Sequence, residues 1–158
     1  MKIIYCSYHG LYISALAGYM HILDAKVIQK ENKAYLLSWM DNINKTRLGR
    51  SGNLLYLGLD KDYNEVYSLG CKKAFGIIEK AQRGVVAIHH NLDGVIHHVD
   101  VSNLEGWLCR LALDHTLGPA IFQRVAVGYL RYYAERQLEK ILKRVLLVKK
   151  ALKDGGLL

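Results

Sequence analysis

The chain has a single proline, Pro119, among 158 residues. That leaves no room for a Pro-rich linker, and the length fits one domain, residues 1–158, able to bury a sizeable core. Cysteine is also scarce. Cys6, Cys71 and Cys109 are odd in number, widely spaced and form no CxxC pair. A disulfide framework is thereby disfavoured, and a reducing cytoplasm is the simpler expectation. No apolar run is long enough to cross a bilayer. The best, Leu11 to Leu23, is short and carries His21. The N-terminus lacks the continuous apolar core and cleavage site of a signal peptide, so no membrane partner is expected. Two phosphate loops are missing as well. No lysine follows Gly10 as a Walker A loop requires, and the residue six after Cys6 is Tyr12 rather than the arginine of low-molecular-weight tyrosine phosphatases. There is no internal repeat or low-complexity block.

The formal charge is +8. Such a balance can suggest nucleic acid or an acidic surface as partner. Its distribution is uneven, because residues 129–153 hold eight basic side chains against two acidic ones and so carry +6 of the total. The basicity belongs mostly to one terminal helix.

The organising stretch is the beginning. Lys2 to Cys6 reads as a short buried strand, Ser7-Tyr8-His9-Gly10 as a turn, and Tyr12 to Leu23 as a helix. Ala34 to Met40 looks like a short helix and Asp41 to Gly52 like an exposed loop. Asn53 to Leu59 and Glu65 to Leu69 have strand length and pattern, and the five residues between them suggest an antiparallel hairpin. A helix is expected over Lys72 to Arg83, a strand over Val95 to Val101, and an amphipathic helix over Leu104 to Leu117 stopped by Gly118-Pro119. Residues 84–92 fit either strand or helix. Ile121 to Val127 reads as a last strand, and Leu130 to Lys153 as a long basic helix. Strands separated by helices favour an α/β domain of three layers. Its sheet is expected to be mostly parallel, with an inserted β-hairpin and a long C-terminal helix. The two-sided apolar character of strand 2–6 predicts a central position, parallel to 95–101.

With the strands placed, a resemblance emerges. Met-Lys-Ile-Ile-Tyr-Cys-Ser-Tyr-His-Gly followed by a small-residue helix, the strand ending Gly58-Leu59-Asp60, the run Asn64 to Gly70, and Val99-Asp100-Val101-Ser102 resemble domain-of-unknown-function family 3189, small proteins of spore-forming bacteria. The resemblance brings no established chemistry. It implies that residues 84–92 continue as helix.

In an open α/β sheet, ligands settle at the carboxyl ends of the strands, where helix N-termini present free N–H groups. The expected site is therefore Ser7, Tyr8, His9, Gly10 and Ser14, joined by Asp60, Asp100 and Ser102. Gly10 would allow close backbone approach, the serines offer hydroxyls, and His9 or Asp100 could act as acid or base. The plain alternative is a tight turn with no ligand. His89-His90 and His97-His98 invite a metal reading, but adjacent strand residues point to opposite faces and no further ligand motif completes a set, so no metal site is expected. Cys71, beside Lys72 and Lys73 at an expected helix start, could have a lowered thiol pKa, against the simpler reading of a passive cysteine. The leading expectation is a protein that binds a phosphorylated or other anionic small molecule, with cofactor and reaction left open. The competing class is an interaction protein that uses its basic helix on a partner protein, on nucleic acid or on a second copy of itself. The apolar residues Leu147, Val148 and Leu152 are expected to overhang the domain and supply that contact.

Overall fold

A computed structural model describes residues 1–23, 35–40, 42, 53–88, 96–115 and 120–154. The expected loop 41–52, except Asn42, the stop at Gly118-Pro119, and His89 and His90 lie outside them.

The strands are β1 (Lys2–Ser7), β2 (Leu54–Leu59), β3 (Glu65–Gly70) and β4 (Ile96–Asp100); the helices are α1 (Ile13–Ile22), α2 (Phe75–Ile88), α3 (Trp107–His115) and α4 (Ala120–Lys153). The sheet order is β2-β3-β1-β4. β1 runs parallel to both neighbours, with Lys2 opposite Glu65 and Ile96, and Cys6 opposite Leu69 and Asp100. β2 pairs with β3 antiparallel, across the expected five-residue turn. The mixed α/β class, the central β1 and its parallel pairing with β4 follow the expectations.

β1 reads as a continuous apolar run because both its faces are covered. Ile3 and Tyr5 join Val66 and Val99 in the main core with α1 and α4, whereas Ile4 and Cys6 join Leu69 and Cys71 against Phe75 and Ile78 of α2. α1 is buried on nearly every side. Gly18 lets it close onto the sheet, since a Cβ there would lie 2.3 Å from Leu57 Cδ1. Leu36, Leu37 and Met40 of a short helical stretch at 35–40 complete this core.

Three expectations are corrected. Residues 121–127 are not a strand but part of α4, which runs 34 residues, about 51 Å. Ile121, Phe122, Val125 and Val127 favour a strand locally. However, Ala126, Leu130, Ala134, Leu138, Ile141, Val145 and Val148 make one buried stripe at helical spacing, and that burial decides the outcome. The last turns do not overhang: Val148 is 1% exposed and Leu152 packs against the same core, leaving Leu146 and Leu147 exposed. The helix expected from Lys72 starts only at Phe75 and that from Leu104 only at Trp107, each preceded by a turn. Residues 84–88 are helical, as the family resemblance implied.

Candidate functional site

The turn after β1 is closed rather than open. Ser7, His9, Gly10 and Ser14 are all buried. Ser7 Oγ lies 2.9 Å from Ser14 Oγ and accepts the Gly10 N–H at 3.1 Å. Ser68 of β3 donates to the Gly10 carbonyl at 2.9 Å and stands 2.7 Å from Ser14 Oγ. The three hydroxyls therefore satisfy one another and lock the turn to the sheet. Gly10 serves the same end. At φ +72°, a Cβ here would meet Gly70 N at 2.2 Å, so the close approach that glycine permits is to β3, not to a ligand. The turn after β3 is tied in as well, by Cys71 N–H to Ser7 O and Lys72 N–H to Tyr8 O, both 2.8 Å.

Beyond this lock the carboxyl edge carries chemistry. Glu105 is 3% exposed. Its Oε2 accepts the Tyr8 N–H at 2.8 Å, while no hydrogen bond of good geometry reaches Oε1 among the described residues. Burial pushes its carboxyl up to about 7, against the opposing pull of the Ser7 hydroxyl, the Tyr8 N–H and Arg110. Arg110 lays its guanidinium over the Tyr8 ring, 5.1 Å from the centroid, and donates through Nη2 to Ser102 O at 3.0 Å. His9 Nε2 lies 3.1 Å from Asp114 Oδ1; burial lowers its pKa although Asp114 works to raise it. Asp100 accepts the Ser102 N–H at 2.8 Å and so holds the turn into α3.

Asp60 stands elsewhere. β2 is antiparallel to its neighbour, so its carboxyl end falls at the amino edge of the parallel strands, beside Met1. The expected set thus divides into Ser7, Tyr8, His9, Gly10, Ser14, Asp100 and Ser102 at one edge and Asp60 at the other. Asp60 accepts from Asp62 N–H (2.9 Å), Asn64 N–H (2.8 Å) and Asn64 Nδ2 (2.9 Å), and its Oδ2 lies 3.3 Å from His21 Nε2. Burial raises its pKa, but the Asn64 and Asp62 bonds win and the net shift is downward. His97 and His98 occupy adjacent positions of β4, and His98 hydrogen-bonds Gln82. All three cysteines are free and buried. Cys71 precedes α2 by four residues, so the helix-start setting expected for it is not realised, but its thiol pKa is lowered as expected, by the hydrogen bond from Cys6 and against burial.

Glu105 and Arg110 escaped the sequence reading. Ser102-x-x-Glu105 ahead of a helix matches a capping box, which would have assigned Glu105 to a local bond. Its actual partner, Tyr8, is 97 residues away.

The chain belongs to the family described as Protein of unknown function (DUF3189), whose model matches residues 2–150. No curated protein and no solved structure matches it. No helix among the described residues is long and apolar enough to cross a membrane.

Proposed function

We propose that the chain binds a small anionic molecule at the carboxyl edge of its parallel strands, and that Glu105 exchanges a proton with it. The observation that carries this reading is the Glu105 carboxyl: buried, held by Tyr8 through one oxygen, with the Ser7 hydroxyl nearby and no hydrogen bond of good geometry at the other oxygen among the described residues. With a pKa near 7 it is present in both forms at neutral pH, as a general acid or base must be. Arg110, half-buried over Tyr8, supplies the positive charge. His9 and Asp100 are positioning residues in this scheme, the first held by Asp114 and the second shaping the turn at Ser102. Three free thiols suit the reducing cytoplasm as its place.

A thermal-shift screen of nucleotides and phosphorylated metabolites tests the reading. At least one compound should raise the melting temperature, through a response that changes between pH 6 and 8. Arg110→Gln should abolish that response, and Glu105→Gln should remove its pH dependence. A screen in which no hit loses its response in Arg110→Gln, or its pH dependence in Glu105→Gln, would refute the assignment.

The competing class, an interaction protein working through the basic helix, has less support. Of the apolar residues invoked for it, Val148 and Leu152 pack on the chain's own core and Leu147 remains exposed. Oligomerisation rests on that helix, and nucleic-acid binding on it together with Lys45, Arg47 and Arg50, which lie outside the described residues.

A further inference from the structure

A cavity of about 620 Å³ opens at the amino edge of the sheet, the edge opposite Glu105. The volume is that of a small-molecule site. Its polar floor is His21 and Asp60, 1% and 9% exposed. Both His21 nitrogens are engaged: Tyr5 OH lies 2.7 Å from Nδ1, and Asp60 Oδ2 3.3 Å from Nε2. Burial and the nearby Lys149 take the His21 pKa down to about 4 despite Asp60, so the ring is neutral at pH 7. With Asp60 ionised, the ring proton sits on Nε2 and the Tyr5 hydroxyl donates to Nδ1. The Asp60 charge is thus spent on His21 and on the hairpin turn.

The walls carry positive charge that this floor does not consume. Lys149, Lys150 and Lys153 come from the last turns of α4, and Lys61 comes from the turn between β2 and β3. Lys149 Nζ donates to Leu23 O at 2.8 Å. Lys61, Lys150 and Lys153 form no salt bridge with any carboxylate among the described residues. Lysines near a helix C-terminus gain from the macrodipole, which explains three of the four. It does not explain why Lys61, from a different element, lines the same hollow. Like charges at i, i+3 and i, i+4 also repel, and a bound anion would relieve that cost. Leu146 and Leu152 add apolar wall, and Asp62 and Asn64 add acceptors and a donor suited to hydroxyl groups.

We infer that this cavity binds a small organic phosphate with a hydroxylated skeleton, its phosphate between Lys150, Lys153 and Lys61 and its skeleton against Leu146, Leu152 and the Asp62 turn. The site is separate from the Glu105 cluster and does not depend on it.

Calorimetric titration of the full chain with ribose 5-phosphate, glucose 6-phosphate, AMP and inorganic phosphate, at low and at physiological salt, tests the inference. At least one ester should bind saturably, one to one, and at least tenfold tighter than inorganic phosphate. The double substitution K150Q/K153Q should weaken it at least tenfold without altering the melting temperature of the free protein, and Glu105→Gln should leave it unchanged. Failure of all three esters to bind saturably would overturn the inference. So would equal affinity in K150Q/K153Q, or binding that Glu105→Gln abolishes.

Discussion

The Tyr5 hydroxyl, on the central strand, lies 2.7 Å from Nδ1 of His21, one residue before the end of the first helix, and both side chains are fully buried. Their rings also meet edge-on, with centroids 5.7 Å apart. The contact fixes α1 against the sheet and sets the floor of the amino-edge cavity. Tyr5→Phe keeps the ring and deletes the donor, leaving a buried imidazole nitrogen unpaired. The expected loss is about 1–3 kcal/mol in urea denaturation. A loss below about 0.5 kcal/mol would mean that the bond contributes nothing net.

Glu105 should leave a signature in the pH dependence of stability. Its carboxyl titrates near 7 when folded, against an ordinary value of 4.5. The folded state therefore holds that proton more tightly, and stability is lost as pH rises from about 4.5 through 7, by on the order of 3 kcal/mol. His21 acts in the opposite sense. Its pKa near 4, against 6.5, means that stability is lost as pH falls from 6.5 toward 4. The two slopes offset each other in the wild type, so the informative quantity is a difference. Glu105→Gln should gain stability relative to wild type as pH goes from 5 to 8. A difference that stays flat over that range would contradict the raised pKa.

Gly10→Ala should be severely destabilising. The new methyl would lie 2.2 Å from Gly70 N and 2.7 Å from the Leu69 carbonyl carbon, all backbone, at a φ of +72°. Neither strand end can yield without breaking the parallel pairing, and a cost above about 4 kcal/mol is expected, sufficient to abolish a cooperative thermal transition. A well-folded variant with the wild-type melting temperature would show that the turn can move.

Neighbouring residues of the last helix should behave oppositely. Val148 is 1% exposed and Leu147 is 58% exposed. Val148→Ala should cost about 2 kcal/mol and Leu147→Ala less than about 0.5 kcal/mol. Truncation after Arg144 would remove Val145, Val148 and Leu152 from the core together, and should unfold the protein rather than merely weaken self-association. A stable truncated chain would restore the overhanging helix.

Local sequence determined the strands and much of the first helix. Lys2 to Cys6 could hardly be anything but a buried strand, because both of its faces are apolar, and the five residues between Leu59 and Glu65 close only an antiparallel hairpin. The odd, scattered cysteines read as free thiols for the same local reason, and they are free. Tertiary structure decided the rest. Asp60 and Asp100 both close a strand, yet they stand at opposite edges, because β3 pairs parallel to β1 and so turns the hairpin's first strand the other way. Ile121 to Val127 favours a strand by local propensity, but α4 continues one buried stripe from Ala126 to Val148 against α3 and α1, and burial outweighs propensity over seven such positions. Glu105 looks like a local cap until the fold carries it to Tyr8. A side chain's pKa and partners depend on what surrounds it in space, and for Glu105, His21 and the lysines of the amino-edge cavity those surroundings come from segments distant in sequence.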